Sequence, residues 1–107
     1  MRIIARRTLR NFVQSLAGHQ DQNAVKAALD DWYEKARKAT WNTSADVKRS
    51  FAKASIVSAE RVVFNIKGGG YRLITAVDFE KSIVWIKWIG THKDYDKIDA
   101  RQVKYEK

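Results

Sequence analysis

The chain contains no cysteine and no proline, and has only five glycines and two histidines among its 107 residues. Without cysteine there is no disulfide framework and no thiolate metal site, which fits a reducing compartment such as the cytoplasm. His19 and His92 are far apart and lack the HExxH spacing, so a zinc site is not expected. No apolar run approaches bilayer length, and the opening Met1–Arg7 lacks the apolar stretch of a signal peptide. No linker, low-complexity tract or internal repeat divides the chain. The expectation is one soluble cytoplasmic domain spanning 1–107, without a membrane partner. The motifs of two enzyme classes are also missing. There is no G-x-S-x-G elbow, and Gly68–Gly70 sits inside a hairpin pattern, away from any helix N-terminus that could bind phosphate.

Positive charge is what the chain has in excess. Twenty-one lysines and arginines face 12 acids, a formal charge of +9 with a pI near 10.0. On so small a domain this points to a polyanionic partner, most often nucleic acid.

Arg61 to Asp96 is the stretch around which the chain is organised, three strands followed by a charged exit that contains His92. A two-residue turn at Gly69-Gly70 would pair Lys67 with Arg72, and a second at Glu80-Lys81 would pair Val77 with Val84, Thr75 with Ile86 and Leu73 with Trp88. With period-two alternation, Val62, Phe64, Ile66, Leu73, Val77, Phe79, Val84, Ile86 and Trp88 share the core face. Arg72, Ile74, Ala76, Trp85, Lys87 and Ile89 share the other. Arg72 then lies opposite Ile89, and Lys67, Tyr71, Arg72, His92 and Lys93 gather at one end of the sheet. A bulge would flip part of this assignment.

The remainder reads as an opening strand at Met1–Ala5 and two helices. Thr8 caps a helix with Leu9, Phe12, Val13 and Leu16 inward, and Asp21 caps a second with Val25, Ala28, Leu29, Trp32, Tyr33 and Ala36 inward. Ser44 caps a short helix that turns Val47 and Phe51 inward and Lys48, Arg49 and Lys53 outward, a basic cluster suited either to phosphate or to solubility. The tail from Lys97 onward adds a turn of helix. Helices segregated from mostly antiparallel strands define an α+β fold, with a two-helix hairpin packed on a sheet that ends in a three-strand meander.

The site chemistry follows from residue type. RNA cleavage without a metal needs a base for the ribose 2′-OH, donors for charge growing on the phosphate, and an acid for the 5′-oxygen. Imidazole, as in His92, exchanges protons near neutral pH. Arg72 can clamp phosphate with its planar fork, and Lys67 and Lys93 add charge. Tyr71, Tyr95 or Trp85 can stack on a base. On residues alone the reading is a basic domain that binds RNA.

Arg61-Val-Val-Phe-Asn-Ile-Lys-Gly, Tyr71-Arg-Leu and above all Gly90-Thr-His-Lys-Asp-Tyr-Asp-Lys-Ile-Asp-Ala resemble the HigB toxins of the RelE-like superfamily, with likeness also in Ser44–Phe51 and Ala54–Val57. The resemblance implies a toxin-antitoxin toxin, an endoribonuclease that cuts mRNA without metal or cofactor, on the translating ribosome in many relatives. It also implies neutralisation by a helix-turn-helix antitoxin, HigA-like, in a hetero-oligomeric complex. By position it marks Arg72, His92, Tyr95 and Lys93 as catalytic. Lys67, Tyr71, Lys87, Lys97, Lys48 and Arg49 are the candidate RNA contacts. A gyrase inhibitor of the ParE type, or a non-catalytic RNA-binding module, are the rival readings.

Overall fold

The computed structural model describes residues 1–103. Strand β1 (Arg2–Ile4) leads into helices α1 (Arg6–Ser15), α2 (Gln22–Lys38) and α3 (Ser44–Ser50). Strands β2 (Ser55–Ile56), β3 (Arg61–Ile66), β4 (Tyr71–Asp78) and β5 (Ile83–Thr91) follow, with a four-residue helix α4 (His92–Tyr95) at the exit. The five strands form one mixed sheet in the order β1-β5-β4-β3-β2, in which only β1 on β5 is parallel. The fold is α+β, as the patterning predicts. No helix of the described residues is long and apolar enough to cross a membrane.

One sheet face carries the main core. Val62, Phe64, Ile66, Leu73, Val77, Val84 and Ile86 pack against Leu9, Val25, Leu29, Trp32, Ala36 and Val47. Each helix contributes residues three or four apart, which places them on one side. Phe64 is the hub, with its ring centroid 5.3 Å from Trp32, 5.1 Å from Phe51 and 6.2 Å from Trp41. Aromatic contacts of this kind add to plain area burial. The Met1 ammonium donates to the carbonyls of Ala36, Arg37 and Ala39, meeting the unsatisfied acceptors where α2 ends.

The helix starts differ from expectation in detail. Ala5 precedes α1, and Thr8 lies inside its first turn. Asp21 does precede α2, but its carboxylate makes no cap bond because it is engaged elsewhere. At α3 the cap is Thr43 rather than Ser44. The Thr43 side chain accepts from the Asp46 N–H while Asp46 accepts from the Thr43 N–H, a reciprocal capping box.

The opposite face is covered only in part. Val63, Ile74 and Ala100 make a small second cluster with Val57, Trp88, Tyr95, Ile98 and Val103, so the chain after β5 folds back under β3 and β4. Arg61, buried, reaches into this segment and donates to the carbonyls of Ala100 and Val103. Turns rather than a continued helix follow Asp96, and the part of the expected tail helix at 104–107 lies outside the described residues.

Phe64→Ala removes the hub and is expected to destabilise the fold by about 3–5 kcal/mol, read as a fall in the urea midpoint without loss of the cooperative transition.

Candidate functional site

The site begins with the loop between β3 and β4. Lys67, Gly68 and Gly69 all have positive φ, at 52, 64 and 94°. Such a run is open to glycine and costly for most side chains. The loop spans four residues, so Ile66 pairs with Tyr71 and Asn65 with Arg72. The two-residue turn predicted at Gly69-Gly70, with Lys67 opposite Arg72, is not formed. The true pairing differs by two residues, which preserves every side-chain face because the strand period is two. Arg72 turns back over the loop and its guanidinium donates to the Gly69 carbonyl. A Cβ on Gly69 would sit 3.2 Å from Arg72 Nη1, so the glycine leaves room for this return.

The other side of the site depends on a bulge in β5. Val77 pairs with Val84 and Thr75 with Ile86, as expected, but the register then shifts and Ile74 meets Trp88, Leu73 meets Ile89 and Arg72 meets Gly90. Lys87 is the extra residue. The expected core position of Trp88 is therefore a correction: Trp88 lies on the Arg72 face, and Ile89 packs against the helix-side core. A bulge re-aims every side chain beyond it. The Trp88 ring leans along the strand over Gly90, where a Cβ would lie 2.5 Å from Cη2 of the indole.

Beyond β5, Thr91 caps α4 by accepting from the Asp94 N–H at 3.1 Å, and the His92 N–H donates to the Gly70 carbonyl at 2.9 Å. These bonds fasten the exit to the glycine loop. The Tyr95 ring is the common surface. Arg72 Cζ lies 5.9 Å from its centroid, the His92 ring stacks on it at 6.5 Å and 22°, and Trp88 approaches at 6.4 Å. His92 Nε2 is 3.8 Å from an Asp96 carboxylate oxygen. Lys93 and Lys97 are exposed nearby and have no ion pair among the described residues. Arg72, His92, Tyr95 and Lys93 thus come together at one end of the sheet. Among the described residues no three His, Asp or Glu side chains cluster to hold a metal.

Other candidates fall elsewhere. Tyr71 alternates to the helix face, where it is buried edge-on against Phe12 with its hydroxyl donating to Asp21 at 3.1 Å. That leaves no ring face for a base. Lys67 extends to the same carboxylate, 3.5 Å away. Lys48 donates to the carbonyls of Ala52 and Ala54, and Arg49 pairs with Asp46. Both belong to α3, whose Val47 packs into the helix-side core, so the sheet separates them from Arg72. Lys87 sits midway along β5 with its ammonium 5.9 Å from the Trp85 ring centroid.

Asp21 links the helical layer to the loop that holds Arg72. The Tyr71 hydroxyl first, and the Lys67 ammonium second, hold its carboxyl below the ordinary carboxylate range, while burial and Asp21 push the Tyr71 phenol up. Pattern alone does not mark Asp21, Trp88 or Gly90 as site residues. Only the adjacency of tryptophan and glycine in Trp88-Ile-Gly90 offered a signal, and its meaning depends on the bulge.

Folding lowers the Asp21 pKa, so its contribution is complete above the unfolded-state value of about 3.9 and drains away as pH falls through the lower folded-state value. Asp21→Asn should therefore lower the melting temperature at neutral pH, with the gap to the parent closing once the pH passes below the carboxylate range. Gly90→Ala should leave the far-ultraviolet circular dichroism unchanged while altering the near-ultraviolet tryptophan bands, because Trp88 must leave its seat.

The family described as HigB_toxin, RelE-like toxic component of a toxin-antitoxin system, matches residues 25–98, which runs from α2 through the whole of α4. No curated protein matches the chain. With most of its length and all of the Arg72–Tyr95 cluster inside the match, the chain belongs to the HigB family of RelE-like toxins, the toxic components of toxin-antitoxin systems, which implies an antitoxin partner.

Proposed function

We propose that this toxin is an endoribonuclease that cleaves mRNA on the translating ribosome and needs no metal. The observation that carries the reading is that Arg72 and His92 both lie against the ring of Tyr95, at 5.9 and 6.5 Å from its centroid. A guanidinium and an imidazole held on one small surface can address a single phosphodiester.

In this mechanism the ribose 2′-oxygen attacks the adjacent phosphorus, and its proton passes to solvent. The P–O5′ bond breaks as the new P–O2′ bond forms, leaving a cyclic phosphate and a 5′-hydroxyl end. Arg72 leaves the Gly69 carbonyl and donates to the phosphate oxygens, where charge accumulates. His92 gives a proton to the departing 5′-oxygen, with Asp96 3.8 Å from its Nε2. Tyr95 holds both groups in place. Lys93 and Lys97 add positive potential around the strand, and Lys67 supports the loop from the Asp21 side. The net charge of +9 suits a polyanionic substrate. The antitoxin partner is taken to be a HigA-like helix-turn-helix protein that binds the toxin in a hetero-oligomer in the cytoplasm.

Arg72→Ala and His92→Gln, each confirmed folded, are expected to slow mRNA cleavage in a translating extract by roughly 10²–10³-fold, with 5′-hydroxyl ends appearing only with the parent. Cleavage at the parental rate by either variant would overturn the assignment. Omitting ribosomes from the same extract should abolish cutting.

A further inference from the structure

Strand β5 contains the run Trp85-Ile86-Lys87-Trp88. Two residues three positions apart in a regular strand point to opposite faces. Here they do not. Trp85 pairs with Ala76 and Trp88 with Ile74, two positions on the same face of β4, because the bulge absorbs Lys87. The two tryptophans, Tyr95 and Arg72 consequently occupy one side of the sheet.

Trp85 is unusual in what surrounds it. Its lateral neighbours on this face are Ile4 and Ala76, too small to cover an indole, and the side chain is 39% exposed. A shallow depression of about 600 Å³ beside it is lined by Ala76 and Phe79 and bordered by Glu60 and Asp78. An indole left in water adds little to folding, and a bulge costs ladder hydrogen bonds. Lys87, with its ammonium over the ring, lies two positions toward the Arg72 end of β5. Asp78, opposite Ile83, lies two positions the other way. A π-face with a cation on one side is the composition of a single-stranded nucleic-acid subsite. The carboxylates beyond it would repel phosphate, so a strand entering from Lys87 ends its contacts at Trp85.

We propose that Trp85 and Lys87 form a base-stacking subsite for single-stranded RNA, on the sheet face that carries Arg72 and Tyr95 and connected to them by Trp88. This rests on the RNA reading above and adds the direction of the strand. From Arg72 to Ala76, the β4 partners of Gly90 and Trp85, is about 13 Å at ~3.3 Å per residue, a few nucleotides from the scissile bond. The substrate is therefore an extended single strand with one base gripped away from the cut.

The test uses fluorescein-labelled RNA carrying 2′-O-methyl ribose throughout, which lacks the attacking hydroxyl, as a dinucleotide and as a mixed-sequence decamer. Binding is followed by anisotropy for the parent, Trp85→Ala and Trp85→Phe. Trp85→Ala should weaken decamer binding roughly five- to hundredfold, Trp85→Phe should restore most of it, and dinucleotide affinity should not change. Equal decamer affinity for Trp85→Ala and the parent overturns the subsite and leaves the nuclease reading standing. Absence of decamer binding by the parent overturns the subsite too, and the cleavage assay with Arg72→Ala then decides the nuclease reading on its own. Loss of antitoxin affinity in Trp85→Ala with RNA binding intact would mark this face as a protein interface and overturn the proposal.

Discussion

Strand β5 carries one more residue than its partner β4 between Ile86 and Trp88, and the arrangement of the Arg72 face follows from that insertion. A regular strand would bury Trp88 under the helices and turn Ile89 outward. With Lys87 bulged, Trp88 lies over Gly90 and supports Tyr95, while Ile89 completes the core beneath. The glycine loop supplies the second condition. It returns Arg72 across its own carbonyl and offers Gly70 as the acceptor that anchors His92. Tyr95 then has a cation, an imidazole and an indole about it, and none of the four side chains is held by a single contact alone.

The two faces of the sheet divide the labour. On the helix side, apolar burial and the Phe64 cluster provide stability, and three of the candidate cations are occupied locally: Lys48 by carbonyls, Arg49 by Asp46, Lys67 by Asp21. On the other side the apolar patch is small, and Lys93 and Lys97 have no ion pair among the described residues. A high net charge therefore says less than its placement. Lysines and arginines that satisfy neighbours contribute to the long-range field but are poorly placed to grip a phosphate.

Much of this was legible in the chain. The 3.6 and 2.0 periodicities identify α1, α2 and the three long strands, and the α+β class follows from their order. The convergence of Arg72 with His92, Lys93 and Tyr95 was also legible, because any hairpin register near the glycines brings β4's start beside β5's end. What escaped was non-local. The partner of Asp21 is a tyrosine 50 residues on, so its carboxylate could not be recognised as a tether instead of a cap. Tyr71 reads as a free aromatic until its alternation with Leu73 is carried back to the start of β4, which turns it to the helix face against Phe12. The bulge at Lys87 has no composition of its own. It becomes necessary only when Ile89 and Trp88 compete for one core position.

Arg61 has its own consequence. Its buried guanidinium donates from Nη1 to the carbonyls of Ala100 and Val103, about forty residues later in the chain, while its Nε has no partner among the described residues. That cation, and the side chains of Val63 and Ile74, have nothing to rest against until Ala100 and Val103 have folded back onto them. The face that carries Arg72, Trp88 and Tyr95 is thus completed by a distant stretch of its own chain, and a change at Arg61 would be felt there without touching any of the three.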